Sequence, residues 1–126
     1  MQKIKINTTN APQAIGSYEQ AIKIDNLVYT SGQIGLKPDG TLSGECIKEQ
    51  TTQVMQNLKA VLEAAGSNLD KVVKATIFIK DITEFKIIDE IYSSFFDGNF
   101  PARSCVEVTR LPKNVRVEIE AIAITE

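Results

Sequence analysis

Three polar residues alternate along FPARSCVEV, residues 100–108: Arg103, Cys105 and Glu107. Two more acidic residues, Glu118 and Glu120, alternate in VRVEIEAIAI near the C-terminus. The 126 residues include no histidine. This absence excludes Ser-His-Asp triads, Cys-His pairs and the commonest zinc ligand. Any reaction must therefore use carboxylates, arginine, tyrosine, cysteine, backbone groups and water.

Each of these residues also has an ordinary structural interpretation. Arg103 can be a strand-end arginine paired with a glutamate across a sheet, since structural charge networks are common. Glu118 and Glu120 can form a solvated edge or an interface salt-bridge set. Cys105 is a weak nucleophile, because no histidine or nearby lysine lowers its pKa, and cysteine is more often a small buried hydrophobe. Tyr18 can be a half-buried packing residue.

Two segments that would position these residues are predicted to be helices, 46–65 and about 84–96. In both, apolar residues recur every three or four positions, which places them on one face. Gly66 suits a left-handed cap at the end of the first helix. Asp81 or Thr83 can cap the start of the second. The apolar face of the second helix is predicted to contain Phe85, Ile88, Ile91, Tyr92 and Phe95.

The remaining periodic segments are predicted to be strands. AIKIDNLVYTSGQIG indicates two short strands around a turn at 25–26, and VVKATIFIK alternates with Val73, Ala75, Ile77 and Ile79 on its inner side. Two further runs cover 103–109 and 115–125. The order strand, helix, strand, helix, strand, strand calls for right-handed crossovers. We expect residues 1–126 to form a single two-layer α+β domain with two helices on one face of a mixed sheet.

The parity of the last two strands predicts which residues face away from the helices. The apolar residues Val106 and Val108 should face the helices. Because Arg103 and Cys105 alternate with them, these two residues are predicted to lie on the outer face. In the last strand, parity sends Glu118 and Glu120 to the same outer face. The segment TRLPKN could close a hairpin, or a third strand could lie between the two. Because Phe78, Ile122 and Ile124 also lie on this face, we expect self-association through it.

Composition limits the partners that the chain can have. The net charge of −2 provides no basic stripe for a phosphate backbone, so nucleic acid is an unfavoured partner. The N-terminus lacks the apolar block of a signal peptide, which favours a cytoplasmic location. Cys46 and Cys105 lie far apart and form neither a CxxC motif nor a metal-ligand spacing.

Four segments together resemble the reactive intermediate (imine/enamine) deaminase family, RidA, also called YjgF: APQAIGSYEQA, YTSGQIG, NLKAVLEAAGSNLDKVVKATIFIKD and FPARSCVEVTRLPKNVRVEIEAIAI. The resemblance implies a chorismate-mutase-like fold in which the strand containing Ile77 lies between the last two strands. It also implies a homotrimer with ligand sites between subunits. Members of the family hydrolyse imines and enamines such as 2-iminobutyrate and 2-aminoacrylate to 2-oxo acids and ammonia.

The resemblance also implies a role for individual residues. Arg103 matches the arginine that binds the substrate carboxylate, and Glu118 matches the glutamate that holds the attacking water. Cys105 matches a cysteine that we assign to the shape of the pocket, and Tyr18 a tyrosine near the site. Ser31 and Gly32 match the loop that closes the pocket. Since an imine is already electrophilic, neither a metal nor an organic cofactor is expected.

The chain departs from the resemblance at a few positions, and other functions stay open. Ser17 stands where many relatives have a proline, and we expect it to affect the placement of Tyr18. Asp89 stands where an asparagine is common, and the loop at 97–99 is shorter than in some relatives. We expect these two changes to affect the size of the preferred substrate. One alternative is a non-enzymatic module that binds a 2-oxo acid. A weaker alternative is a ribonuclease or translation inhibitor, which the acidic balance and the lack of histidine oppose.

Overall fold

The structure, a computed structural model, describes residues 2–125. Six strands and two α-helices make up the fold. In chain order they are β1 (Lys3–Ile6), β2 (Ala21–Ile24), β3 (Leu27–Thr30), α1 (Ile47–Ala64), β4 (Val72–Ile79), α2 (Phe85–Ser94), β5 (Ala102–Glu107) and β6 (Val117–Ile124). Both predicted helices and the predicted strands are thereby confirmed, whereas β1 was not predicted.

One six-stranded sheet has the strand order β1-β2-β3-β6-β4-β5. Strands β4 and β5 are parallel and are joined through α2, while the other neighbouring pairs are antiparallel. The expectation that a strand lies between the last two is confirmed, since β4 pairs with both β5 and β6, and the local hairpin is wrong. Both helices pack on one face of this mixed sheet, around a core that includes Val54, Leu58, Ile77 and Ile119.

The ends of the helices follow from local hydrogen bonds. After α1, Gly66 has φ +84°, and the Ser67 N–H donates to the Leu62 carbonyl at 2.9 Å, as in a left-handed cap. A short 3-10 turn at Ile82–Glu84 precedes α2, and the Thr83 N–H donates to Asp81 Oδ1 at 3.0 Å. Asp81 thus caps this turn, whereas Glu84, the residue before α2, makes no side-chain capping bond to the helix. Within residues 2–125, neither helix has the length and apolar character required to cross a membrane.

The predicted orientation of β5 is wrong. Arg103 pairs with Ala75 in β4, and Cys105 pairs with Ile77, so both point toward the same side as these buried residues, where the helices lie. Val106 instead lies on the opposite side and is 45% exposed. The reason is that β5 is the edge strand, and the helix side of this edge meets polar and aromatic groups of α2 instead of a purely aliphatic core. Val108 lies just beyond the strand.

The start of β4 corrects one further prediction. The register between β4 and β6 shifts between Val72 and Lys74, which is typical of a β-bulge. As a result Val72 is buried, whereas Val73, predicted to face inward, is 45% exposed. The alternation predicted for Ala75, Ile77 and Ile79 is confirmed, since all three are buried.

The sheet face opposite the helices carries both acidic and apolar side chains. Glu118 and Glu120 alternate with the buried residues of β6, so the predicted parity of this strand is confirmed. Several large apolar side chains on this open face are exposed to solvent: Tyr29 by 43%, Val106 by 45% and Ile124 by 40%. Exposed apolar side chains on one face are typical of a protein interface.

Candidate active site

A cavity of about 740 Å³ lies beside β6 and is lined by most of the predicted site residues. Tyr18, Ser31, Gly32 and Glu118 all line this cavity. Its walls also include residues that sequence reasoning did not assign to a site, among them Gln33, Pro38, Lys113 and Glu120. The cavity is large enough for a small organic acid.

The loop after β3 is fixed against β6 by backbone hydrogen bonds. The Gln33 N–H donates to the Ile119 carbonyl at 2.9 Å, and the Ile119 N–H donates to the Gln33 carbonyl at 3.1 Å. On the other side, the Ser31 N–H donates to the Gln20 carbonyl at 2.9 Å, and Ser31 Oγ donates to the Glu19 carbonyl at 2.5 Å. These bonds hold the intervening Gly32 directly alongside β6.

Gly32 and Glu118 are in direct contact. A Cβ atom built on Gly32 would collide with the Glu118 carboxylate and lie 2.9 Å from its Cγ. Only a residue without a side chain lets the loop approach the carboxylate this closely. The backbone of Gly32 therefore limits where the Glu118 carboxylate can lie in the cavity.

Two effects change the acidity of Glu118. Burial raises the pKa of its carboxyl, and the negative charge of nearby Glu120 raises that pKa further. Desolvation and a like charge both disfavour the ionised form. A carboxylate of raised pKa is a better proton acceptor near neutral pH, which suits a general base.

Arg103 lies in a separate environment formed by α2. Its Nη1 atom donates to Asp89 Oδ1 at 2.6 Å. Its guanidinium carbon also lies 5.0 Å from the centre of the Phe85 ring and 5.2 Å from the centre of the Tyr92 ring. Contacts of this kind between a guanidinium and aromatic rings are attractive. The two rings and the carboxylate together fix the guanidinium at the edge of the sheet.

Cys105 and Tyr92 complete the surroundings of Arg103. Burial raises the pKa of the Cys105 thiol, an effect that Arg103 partly opposes. Burial also raises the pKa of Tyr92 to about 12, and its hydroxyl is buried with no hydrogen-bond partner among residues 2–125. The thiol is thus protonated at neutral pH, which suits a residue that shapes a pocket better than a nucleophile.

A single chain does not bring Arg103 and Glu118 together. Arg103 does not line the 740 Å³ cavity. The two residues point to opposite faces of the sheet, and their strands are separated by β4, a lateral offset of about 10 Å. Arg103 and Cys105 form one group, and Tyr18, Ser31, Gly32 and Glu118 form another.

Sequence reasoning did not assign Phe85 and Tyr92 to a site and named Asp89 only for an effect on substrate size, although the sequence contained a signal. Phe85, Asp89 and Tyr92 occur at spacings of four and three, which places them on one helix face. An acidic residue within an apolar stripe needs a partner, and Arg103 is that partner here. Within the described part of the chain, no three or more His, Cys, Asp or Glu side chains cluster closely enough to hold a metal ion.

The fold defines a class of protein with two helices on one face of a six-stranded sheet and a cavity beside the last strand. The family model described as "Endoribonuclease L-PSP" matches residues 8–125. The chain belongs to this family, which is the RidA/YjgF family.

Several known proteins are similar to this chain. A 2-iminobutanoate/2-iminopropanoate deaminase of Salmonella typhimurium is 47% identical over 94% of this chain and 95% of its own length. A Lactococcus lactis protein named as a candidate regulator, AldR, is 51% identical over 94% of both chains. The crystal structure of Escherichia coli TdcF with bound serine is 42% identical and superposes with a TM-score of 0.93, covering 98% of this chain and 100% of TdcF.

The contact between Gly32 and Glu118 predicts the effect of Gly32→Ala. The new methyl group would displace the carboxylate, and misplacing a reacting group by about 1 Å can cost up to about 100-fold in rate. If Glu118 takes part in the imine hydrolysis proposed below, kcat for that reaction should fall about 10- to 100-fold. Folding should be little affected, because the displaced atoms belong to the flexible end of a side chain.

Gly44→Ala is the matched control for this experiment. A Cβ on Gly44 would likewise collide with a glutamate carboxylate, that of Glu49, which does not line the cavity. Rates of ammonia release and thermal melting curves are measured for both variants. Equal rates for Gly32→Ala and Gly44→Ala would show that the position of Glu118 does not matter for the reaction.

Proposed function

We propose that this protein hydrolyses reactive imines and enamines, such as 2-iminobutanoate, 2-iminopropanoate and its enamine form 2-aminoacrylate, to 2-oxo acids and ammonia. The observation that carries the proposal is the Glu118 carboxylate, which a close loop holds in a cavity and whose pKa burial raises. Relatives that carry the deaminase name support it. We propose that residues 1–126 form the one domain that performs this reaction.

Each step of the reaction is assigned to a residue. Arg103 holds the substrate carboxylate through two parallel hydrogen bonds and so fixes the imine carbon in place. Glu118 orients a water molecule and takes its proton while the oxygen adds to that carbon. Glu118 then returns the proton to the nitrogen, which gives a carbinolamine. It next takes the proton of the new hydroxyl group and passes it to the nitrogen, so that the carbonyl forms as the carbon–nitrogen bond breaks, and the 2-oxo acid and ammonia are released. Because the imine is already electrophilic, the reaction needs no cofactor.

The proposed site is shared by two subunits of a homotrimer. Arg103 and Glu118 lie on opposite faces within one chain, so a second copy has to supply one of them. The exposed apolar side chains of the open sheet face, Tyr29, Val106 and Ile124, favour self-association there. In this assembly Cys105 would shape the pocket beside Arg103, and Tyr18 would cover it beside Glu118.

A second candidate function is that of a non-enzymatic regulatory module. The relative named as a candidate regulator, AldR, favours it. In this case the same cleft would bind a 2-oxo acid or another small carboxylate without hydrolysis. The serine bound to the TdcF relative fits a site for small amino-acid-like molecules under either function.

The reaction itself provides the test between these two functions. A threonine dehydratase generates 2-iminobutyrate in situ, and ammonia release is followed with and without this protein. We expect the protein to accelerate the release of ammonia. If the rate equals that of the protein-free control and the protein binds 2-oxobutyrate, the deaminase function is wrong and the regulatory module is supported.

A further inference from the structure

A carboxylate of the same chain, that of Asp89, already forms an ion pair with the Arg103 guanidinium. The distance from Arg103 Nη1 to Asp89 Oδ1 is 2.6 Å, and the side chains of Arg103 and Asp89 are 26% and 43% exposed. Among residues 2–125, Asp89 is the only carboxylate within ion-pair distance of this guanidinium. Arg103 is expected to bind an anion, but its positive charge is already balanced by a carboxylate of the same chain.

Two aromatic rings hold the guanidinium in place together with Asp89. The Phe85 and Tyr92 rings lie about one turn of α2 to either side of Asp89, with their centres 5.0 Å and 5.2 Å from the guanidinium carbon. Tyr92 is buried, and Phe85 packs against the core. The rings thus orient Arg103 through packing, whereas Asp89 adds a negative charge and one hydrogen bond.

This arrangement has a consequence for any carboxylate that binds Arg103. The incoming carboxylate must either displace Asp89 from Nη1 or accept a like charge a few ångströms away. Like charges at such distances repel, although water screens the interaction of half-exposed groups. An uncharged molecule of the same shape would meet no such repulsion.

We propose that Asp89 is a specificity-determining residue that competes with the ligand carboxylate for Arg103. This inference rests on the proposed function, in which Arg103 holds the substrate carboxylate. The competition weakens binding of the anionic substrate and of the 2-oxo acid product, and so favours product release. It acts on carboxylates and leaves uncharged analogues unaffected.

Calorimetry measures the affinity of two ligands for the wild type and for a series of variants. The ligands are 2-oxobutyrate and its primary amide, 2-oxobutanamide, which has nearly the same shape without the charge. Asp89→Asn removes the charge but keeps an oxygen that accepts a hydrogen bond from Nη1. We expect it to bind 2-oxobutyrate about 3- to 10-fold more tightly, with a matching fall in KM for the imine and no change for the amide.

Two further Asp89 and Glu90 variants separate competition from a positioning role. Asp89→Ala removes both the charge and the hydrogen bond, and under competition it also binds 2-oxobutyrate more tightly than the wild type. It also serves as the second variant if the asparagine protein fails to fold. Glu90→Gln, an exposed change of the same charge one residue along α2, should bind both ligands as the wild type does. Unchanged binding in Asp89→Asn with weaker binding in Asp89→Ala would overturn the proposal.

Arg103→Ala distinguishes this proposal from the function on which it rests. If Arg103→Ala binds 2-oxobutyrate as tightly as the wild type does, the role of Arg103 in the proposed function is wrong. If Arg103→Ala abolishes binding while Asp89→Asn equals the wild type for both ligands, the proposed function stands and the Asp89 inference alone is wrong. Tighter binding of the amide as well as the acid would also contradict it.

Discussion

Replacing Arg103 by alanine should lower kcat/KM for 2-iminobutyrate by about 10²- to 10⁴-fold. Two hydrogen bonds to a charged group contribute about 1.5–3 kcal/mol each, and about 1.4 kcal/mol corresponds to a factor of ten. The variant loses both bonds to the substrate carboxylate, so the imine carbon is no longer fixed beside the water. Ammonia release from imine generated in situ provides the measurement.

Two controls show whether the loss belongs to the substrate contact. Arg110→Ala removes an exposed arginine of the loop after β5 and should leave the rate within about twofold of the wild type, as is usual for surface changes away from a site. Arg103→Lys keeps the charge but cannot donate two parallel bonds, so it should recover only part of the loss. An Arg103→Ala protein that folds and is as fast as the wild type would contradict the assigned role.

The parts of this fold that follow from a buried core were predictable from the sequence. Apolar residues repeat at a regular spacing in α1, α2, β4 and β6, because one side of each element meets the core. The spacing is three or four residues in the helices and two in the strands. The family resemblance added what periodicity left open, namely the position of β4 between the last two strands. Gly66 could be assigned to the end of α1, and Asp81 to the start of the turn that leads into α2, because capping depends on residues adjacent in sequence.

The orientation of β5 was not predictable from its own residues. Edge strands face different neighbours from central ones, and here Val106 faces the open side while Arg103 faces α2. The partner of Arg103 is Asp89, which is 14 residues away and belongs to another element. Contacts of this kind depend on how the elements pack, as does the loop that brings Gly32 against Glu118.

In the proposed site, Arg103 of one subunit acts with Glu118 of another. Glu118→Gln alone should lower kcat by about 10²- to 10⁴-fold, since it removes the general base. The loss should not come from unfolding. Because the folded pKa of Glu118 is raised above its ordinary value of 4.5, the ionised carboxylate lowers stability as the pH rises through that range. At pH 7 the glutamine variant should therefore be at least as stable as the wild type.

Mixing the two inactive variants tests this claim most directly. Arg103→Ala and Glu118→Gln subunits are combined in equal amounts, exchanged by coexpression or refolding, and assayed for ammonia release. In a three-fold ring each mixed trimer regains one intact site of three, and three-quarters of random trimers are mixed, so activity should recover to about one quarter of the wild type. Activity that stays at the sum of the two parent variants, in trimers shown to be mixed, would contradict a site shared between subunits.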